Sequence, residues 1–203
     1  MSNISADLVK KLREQTGAGF MECKAALTET AGDLDKATVV LRKKGQAAAE
    51  KKADRRTTEG TVASYVHPGG RVGVLIEVNC ETDFVAKTAD FQELVKDLAM
   101  QVAAASPARA KWVSRDQVPA EVLEQERDIL RSQAETSGKP AAVLEKIVEG
   151  RLAKFYAEHV LLEQPFIKDP ATTVQQYVAS KIAVLKENIQ VRRFTRFERG
   201  ERP

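Results

Sequence analysis

Cysteine, histidine and aromatic residues are scarce in this chain of 203 residues. It has two cysteines, two histidines and 5% aromatic residues. Cys23 and Cys80 cannot by themselves ligate a metal cluster, and two cysteines are too few for the disulfide framework of a small secreted protein. We therefore expect a protein of the reducing cytoplasm, with a fold that depends on an ordinary apolar core.

The chain also lacks long apolar runs and a strong excess of either charge. No run approaches the roughly 18 apolar residues of a membrane-spanning helix, and the N-terminus lacks the apolar segment of a signal peptide. The 32 Lys and Arg are nearly balanced by 29 Asp and Glu, which leaves a net charge of +3. This balance excludes a surface that is basic all over. We expect neither export nor a membrane span.

Apolar residues at helical spacing and intervening glycines predict three short helices in residues 1–45. Ser5 is a favourable N-cap for the first helix, which should end at Thr16–Gly17. The second should run from Phe20 to Thr30, and the third should begin at Asp33 and stop at Gly45. A bundle of this size has a small core, so we expect a docking module rather than a catalytic one.

The rest of the chain predicts an α+β domain. Residues 46–57 form an alanine-rich, charged segment that suits a helical linker. Alternating apolar residues on both sides of Pro68–Gly69–Gly70 indicate a β-hairpin. Three long amphipathic helices and a short helix near residues 173–185 follow, and residues 188–197 alternate as a last strand. In that strand we expect Ile189, Val191, Thr195 and Phe197 on the apolar face. We predict a small three-stranded antiparallel sheet packed with helices over residues 58–203.

Enzymatic chemistry finds little support in these residues. His67 and His159 have no ligand or triad spacing with the two cysteines, and they are better explained as structural or surface residues. Thr16–Gly17–Ala18–Gly19 follows a helix instead of a strand and lacks the Gly-Lys-Ser/Thr ending of a phosphate-binding loop. We expect no enzyme activity and no cofactor.

A basic C-terminal strand is the one feature that suggests nucleic acid. It carries Arg192, Arg193, Arg196, Arg199 and Arg202, with Glu198 and Glu201 among them. Arginines that alternate with apolar residues are typical of a half-exposed strand, and only Phe194 offers a base-stacking surface. We therefore expect no direct contact with nucleic acid and keep an RNA- or ribosome-binding module as the alternative.

The segment Glu81–Ala86 directly follows the clearest strand and is harder to explain. Phe84 lies beside the carboxylate of Asp83 at the strand exit. Such an aromatic residue either fills a gap in the local core or projects as a wedge toward a partner. Burial of apolar surface alone favours the core position.

Three segments resemble the elongation factor Ts family, the nucleotide-exchange factors for elongation factor Tu. They are Leu12–Leu27, with the sequence LREQTGAGFMECKAAL, then Asn79–Ala86, with NCETDFVA, and the block from Glu149–Leu152 to Leu162–Phe166. They occur in the family's order and cover the chain from end to end. Only one hairpin and one NCETDFVA segment are present, as in the short members of the family.

The resemblance implies a ubiquitin-associated fold for the N-terminal helices, with Arg13, Phe20 and Met21 docking on the GTPase domain of elongation factor Tu. It further implies that Thr82, Asp83, Phe84 and Val85 disturb the magnesium and phosphate end of the partner's nucleotide site, with Phe84 as the wedge. A ubiquitin-like-fold binder is a second alternative, because the three helices alone could serve it. For the short form we also expect a homodimer that pairs through the sheet.

Overall fold

The computed structural model describes residues 4–135 and 141–201, and over these residues the chain forms eight α-helices and five β-strands. The helices are α1 (Ala6–Thr16), α2 (Phe20–Glu29), α3 (Leu34–Glu50), α4 (Asp83–Ala86), α5 (Ala89–Ala104), α6 (Ala120–Glu135), α7 (Ala141–His159) and α8 (Val174–Leu185). The strands are β1 (Glu59–Val66), β2 (Val72–Cys80), β3 (Pro165–Phe166), β4 (Asp169–Thr173) and β5 (Ile189–Glu198).

The predicted α+β class and the three-stranded antiparallel sheet are confirmed. The strand order is β1-β2-β5, so the last strand joins the hairpin beside β2. Residues on β2 alternate between a buried and an exposed face: Val74, Ile76 and Val78 are buried, whereas Leu75 is 51% exposed. A side-chain period of two places one face of the strand on a core and the other toward solvent.

The chain divides into two compact units. The first contains the described residues up to Val62 together with Glu77–Lys96 and Gln176–Gln190, and the second contains Ala63–Ile76, Asp97–Gln175 and the residues from Val191 onward. Each strand of the three-stranded sheet contributes residues to both units. Within the described residues, no helix combines the length and apolar character needed to cross a membrane.

The first unit contains the three predicted N-terminal helices. They share a core of six buried residues: Val9, Leu12, Cys23, Ala26, Leu27 and Ala37. Ser5 accepts a hydrogen bond from the Leu8 amide at 3.3 Å, and Gly17 ends α1 in the left-handed conformation at φ 67°. Asp33 caps α3 by accepting from the Lys36 amide at 3.0 Å. The local capping chemistry therefore sets these boundaries as the sequence predicts.

The predicted stop at Gly45 is wrong, because α3 continues through it to Glu50. Gly45 is buried against α8, where a Cβ atom would lie 3.6 Å from that of Ala183. Glycine allows this close approach of two helices and does not act here as a C-cap. Residues 46–50 are the last turn of α3, and turns follow it over residues 51–54, so there is no separate helix in 46–57.

The predicted apolar face of β5 is correct only at its start. Ile189 and Val191 are buried, but Arg192 and Arg193 are both exposed, which shifts the alternation by one residue. Phe194 is consequently half-buried and Phe197 is 70% exposed. A one-residue slip exchanges the two faces of a strand, so the expectation for Thr195 and Phe197 fails.

The second unit has its own core, which packs α6 against α7. Its buried residues are Val118, Leu130, Val148, Leu152, Tyr156 and Val160. The unit also contains the short β3–β4 pair, which the sequence analysis missed. Gln101 and Gln164, both fully buried, bond to each other at 3.2 Å beside it, and Gln164 also donates to the carbonyls of Ala108 and Glu158.

Candidate functional site

A single-turn helix, α4, follows the exit of β2 and exposes Phe84. Thr82 has extended backbone and its hydroxyl accepts from the Val85 amide at 3.3 Å, which caps the helix. Ala86 is 6% exposed and anchors the turn, whereas the Phe84 side chain is 80% exposed. Phe84 is therefore not a core residue, which excludes the first of the two explanations left open by the sequence; its role as a wedge toward a partner stays a prediction.

Hydrogen bonds on both sides hold this turn in place. The Gln92 side chain donates to the Ala86 carbonyl at 2.7 Å, and the Thr88 hydroxyl donates to the Val85 carbonyl at 2.8 Å. The Cys80 thiol donates to the Thr82 carbonyl at 3.1 Å. The backbone that carries Phe84 thus has fixed hydrogen-bond partners.

Asp83 and Lys87 form an ion pair on the outer side of α4. Their charged groups lie 2.7 Å apart at a spacing of four residues. The hydrogen bond from Lys87 lowers the pKa of the Asp83 carboxyl, and the same bond raises the pKa of Lys87. Because the folded-state pKa of Asp83 is depressed, this carboxylate stays charged until the pH falls through that lowered value.

Cys80 lies fully buried beneath the turn. Burial, with a smaller effect from the nearby Glu187 carboxylate, raises the pKa of its thiol from 9.0 to about 11. The neutral thiol is therefore the form present at physiological pH, and its polarity is satisfied by the Thr82 carbonyl. A thiol of this kind is a packing and hydrogen-bonding group rather than a nucleophile.

The second predicted set, Arg13, Phe20 and Met21, lies on the surface of α1 and α2. Arg13 is exposed, and the Phe20 and Met21 side chains are 46% and 71% exposed. Glu22, the next residue, accepts a hydrogen bond from the Gly19 amide at 3.2 Å and so fixes the start of α2. The apolar pair is therefore presented from a capped helix end.

The turn between α8 and β5 contacts residues of α2 and the start of α4, next to both predicted sets. The sequence analysis missed these contacts. Lys186 donates to the Glu22 carboxylate at 2.8 Å, and the Glu187 carboxylate accepts from the Thr82 hydroxyl at 2.6 Å. The Lys186 hydrogen bond lowers the pKa of Glu22. No local pattern indicates these contacts, because 164 and 105 residues separate the partners.

The histidines have ordinary partners within the second unit. His67 lies 3.1 Å from the Tyr65 hydroxyl, and His159 lies 3.3 Å from the Arg109 carbonyl and against the Phe155 ring. In residues 4–135 and 141–201 there is no cluster of three or more His, Cys, Asp or Glu that could hold a metal ion. Arg196 is nearly buried, pairs with Glu198 and donates to the Ala103 carbonyl, while Arg202 lies outside the described residues.

Comparison with known proteins identifies the family. The family model described as Elongation factor TS matches residues 49–201. Proteins named Elongation factor Ts from Acetivibrio thermocellus and Caldanaerobacter subterraneus are each 59% identical to this chain over 198 residues, which is 98% of the chain and 91% and 98% of theirs. That of Geobacter sulfurreducens is 57% identical over 199 residues, covering 98% of this chain and 91% of its own. The chain therefore belongs to the elongation factor Ts family of translation elongation factors.

Proposed function

We propose that this chain binds elongation factor Tu in its GDP-bound form and accelerates GDP release by disturbing the magnesium and phosphate site of that partner. The observation that carries the proposal is the Phe84 side chain, 80% exposed on a turn whose backbone is held by hydrogen bonds. An exposed aromatic residue on a rigid support is typical of an interface hot spot. Thr82, Asp83 and Val85 form the rest of the wedge segment.

Exchange of this kind requires binding and no bond-making, so the chain acts without being an enzyme and without a cofactor. Magnesium and backbone amides compensate the charge of a bound diphosphate. A wedge that displaces the loops around the magnesium removes part of that compensation and weakens GDP. By thermodynamic reciprocity, bound GDP lowers the partner's affinity for the exchange factor by the same factor. The complex is therefore transient, and a nucleotide-free intermediate also forms.

Arg13, Phe20 and Met21 are proposed to dock on the partner's GTPase domain. The exposed apolar pair at the start of α2 suits an apolar groove, and Met adapts well to such a surface. In this proposal the three N-terminal helices, through the end of α3 at Glu50, are the docking module, and residues 58–203 are the core domain. The docking residues provide affinity for elongation factor Tu, whereas the wedge segment changes its nucleotide site.

A homodimer in the cytoplasm is part of the same proposal. In the second unit three large apolar side chains are exposed on strands of the sheet: Val66 (65%), Leu75 (51%) and Phe197 (70%). The residues that alternate with them are buried in β2 and half-buried in β1 and at the end of β5, so the three side chains belong to the more exposed face of the sheet. A second copy presents the same apolar residues and would cover this face symmetrically.

Release of a fluorescent GDP from elongation factor Tu tests the proposed function. We expect the full chain at catalytic concentration to accelerate release, and to do so less strongly when excess Mg²⁺ stabilises the nucleotide site. A release rate that does not depend on the concentration of this protein would overturn the proposal.

The alternative, an RNA- or ribosome-binding module, is favoured by the exposed Arg192, Arg193 and Arg199. Arg196 is 8% exposed and pairs with Glu198, which removes it from contact with phosphates. Affinity for a phosphate backbone falls steeply with salt because counterions are released. Binding to elongation factor Tu through Phe20, Met21 and Phe84 should change little between 50 and 200 mM salt, and a steep fall would favour the alternative.

A further inference from the structure

Lys186 and Glu187, in the turn between α8 and β5, reach the two proposed partner-binding segments from adjacent positions. Lys186 adopts φ 64°, in the left-handed region that residues other than glycine rarely occupy. Its side chain bonds to Glu22 at the start of α2, while the side chain of Glu187 bonds to Thr82 at the start of α4. Uncommon backbone geometry of this kind persists where the surrounding contacts determine it.

The Glu187 carboxylate accepts three hydrogen bonds from Glu81 and Thr82, at the start of the wedge segment. One oxygen accepts from the amides of Glu81 and Thr82 at 3.1 and 3.0 Å, and the other accepts from the Thr82 hydroxyl at 2.6 Å. Hydrogen bonds to an ionised acceptor are about twice as strong as neutral ones. The carboxylate thus fixes both the backbone at the exit of β2 and the direction of the Thr82 hydroxyl.

The orientation of that hydroxyl connects Glu187 to α4. Because the Thr82 hydroxyl gives its hydrogen to Glu187, its oxygen lone pairs remain available to the Val85 amide, which donates at 3.3 Å. The cap of α4 and the contact with Glu187 therefore depend on each other. Phe84 lies within the turn that this cap begins.

A second carboxylate, that of Glu81, forms a reciprocal hydrogen bond to the residue that follows Glu187. The Glu81 carboxylate accepts from the Asn188 amide at 2.6 Å, and the Asn188 side chain donates to the carbonyls of Ala53 and Arg55. The end of β2 and the start of β5 are thus linked through the carboxylates of Glu81 and Glu187. The Lys186–Glu22 pair adds less, because its charged groups are 61% and 47% exposed.

We propose that Glu187 is a positioning residue for exchange: it holds the start of α4 in the orientation that presents Phe84 to the partner. The proposal rests on the proposed function, because it assigns Glu187 a role in presenting the wedge. Glu187 itself is half-buried and need not touch the partner. Its loss should affect the rate at which bound partner releases GDP more than the affinity for that partner, which the docking residues supply.

Three variants of the full chain test this proposal. Glu187→Ala removes all three bonds, Glu187→Gln retains an acceptor for the two amides, and Thr82→Val removes the hydroxyl from the other side. Glu93→Ala is the matched control, since Glu93 is an exposed carboxylate of the same unit that pairs with Lys181 at 3.2 Å. A thermal melt of each variant establishes that it is folded at the assay temperature.

Amide hydrogen exchange of Glu81 and Thr82 in the free protein is the first measurement. We expect exchange at these two amides to become at least tenfold faster in Glu187→Ala and to recover most of its protection in Glu187→Gln, with no change in Glu93→Ala. Unchanged protection in Glu187→Ala would overturn the proposal whatever the activity. Should Glu187→Ala not fold, Glu187→Gln is compared with Thr82→Val. The proposal then expects the larger loss of exchange rate in Thr82→Val, since only this variant loses the helix cap outright, and equal rates would overturn it.

The maximal rate of fluorescent GDP release is the second measurement. We expect Glu187→Ala to lower it about tenfold with little change in the half-saturating concentration, and the double variant with Thr82→Val to lose no more than the more damaging single variant. If amide exchange becomes faster in Glu187→Ala while the maximal rate is unchanged, the positioning role of Glu187 is overturned and the proposed function is not. A wild-type chain without exchange activity would instead overturn the proposed function, and the amide measurement would still report on the contact.

Discussion

Phe84 and Phe91 are close in sequence but have opposite environments, since their side chains are 80% and 0% exposed. Phe84→Ala should therefore change the free energy of unfolding by no more than about 0.5 kcal/mol, because it removes few native contacts. Phe91→Ala leaves a cavity and should cost about 3–5 kcal/mol. Urea unfolding of the two variants measures both values. A loss of several kcal/mol in Phe84→Ala would mean that this ring is buried in solution.

Cys80 provides a pH-dependent test of the same region. Burial raises the pKa of its thiol to about 11 in the folded protein, so between pH 9 and 11 the unfolded chain loses this proton first. Folding stability should consequently fall as the pH rises through this range. Relative to Cys80→Ala, the wild-type protein should lose about 1 kcal/mol more between pH 8 and 10. Identical pH dependences of the two unfolding free energies would show that the thiol is not desolvated.

Single residues were predictable from sequence where the determining partner is local. Ser5, Gly17 and Asp33 cap or end their helices as expected, since a cap depends on residues within one turn. The outward position of Phe84 did not follow from composition or periodicity and was implied only by the family resemblance. Glu187 gave no signal at all, because its partners Glu81 and Thr82 are 106 and 105 residues away.

At the scale of elements, α3 and β5 show why patterns fail at particular points. A glycine after an apolar stripe usually marks a helix end, but Gly45 lies inside α3, where it packs against α8. In β5 the alternation of the sequence continues while the strand shifts its phase at Arg192 and Arg193. Both departures are caused by tertiary packing, which local propensity does not contain. The existence and order of both elements were nevertheless predicted.

Gly45→Ala distinguishes a helix interior from a helix end. A Cβ atom would be 3.6 Å from Ala183 Cβ, which is an ordinary van der Waals distance. Alanine has the higher helix propensity, so the substitution should stabilise the protein by up to about 1 kcal/mol, whereas Gly45→Leu should destabilise it through overpacking. Thermal melts of both variants are sufficient. Destabilisation by alanine would indicate a left-handed glycine cap and would contradict the continuous α3.

At the scale of the whole molecule, the exposed apolar residues of the sheet predict self-association. Sedimentation equilibrium at tens of micromolar should give a dimer, because this concentration exceeds a dissociation constant of roughly micromolar. Leu75→Glu introduces a charge on the exposed face and should yield a folded monomer, while Lys10→Glu on α1 serves as a surface control. A wild-type monomer throughout this range would contradict the proposed pairing.

The proposed role of Phe84 as a wedge is best tested by the rate of fluorescent GDP release from elongation factor Tu, measured as a function of the concentration of this protein. We expect Phe84→Ala to lower the maximal rate by about thirtyfold, which corresponds to about 2 kcal/mol for a hot-spot residue. Met21→Ala should instead raise the half-saturating concentration with little change in the maximal rate, because it removes docking and leaves the wedge. A folded Phe84→Ala protein that supports the full maximal rate would show that Phe84 is not the wedge.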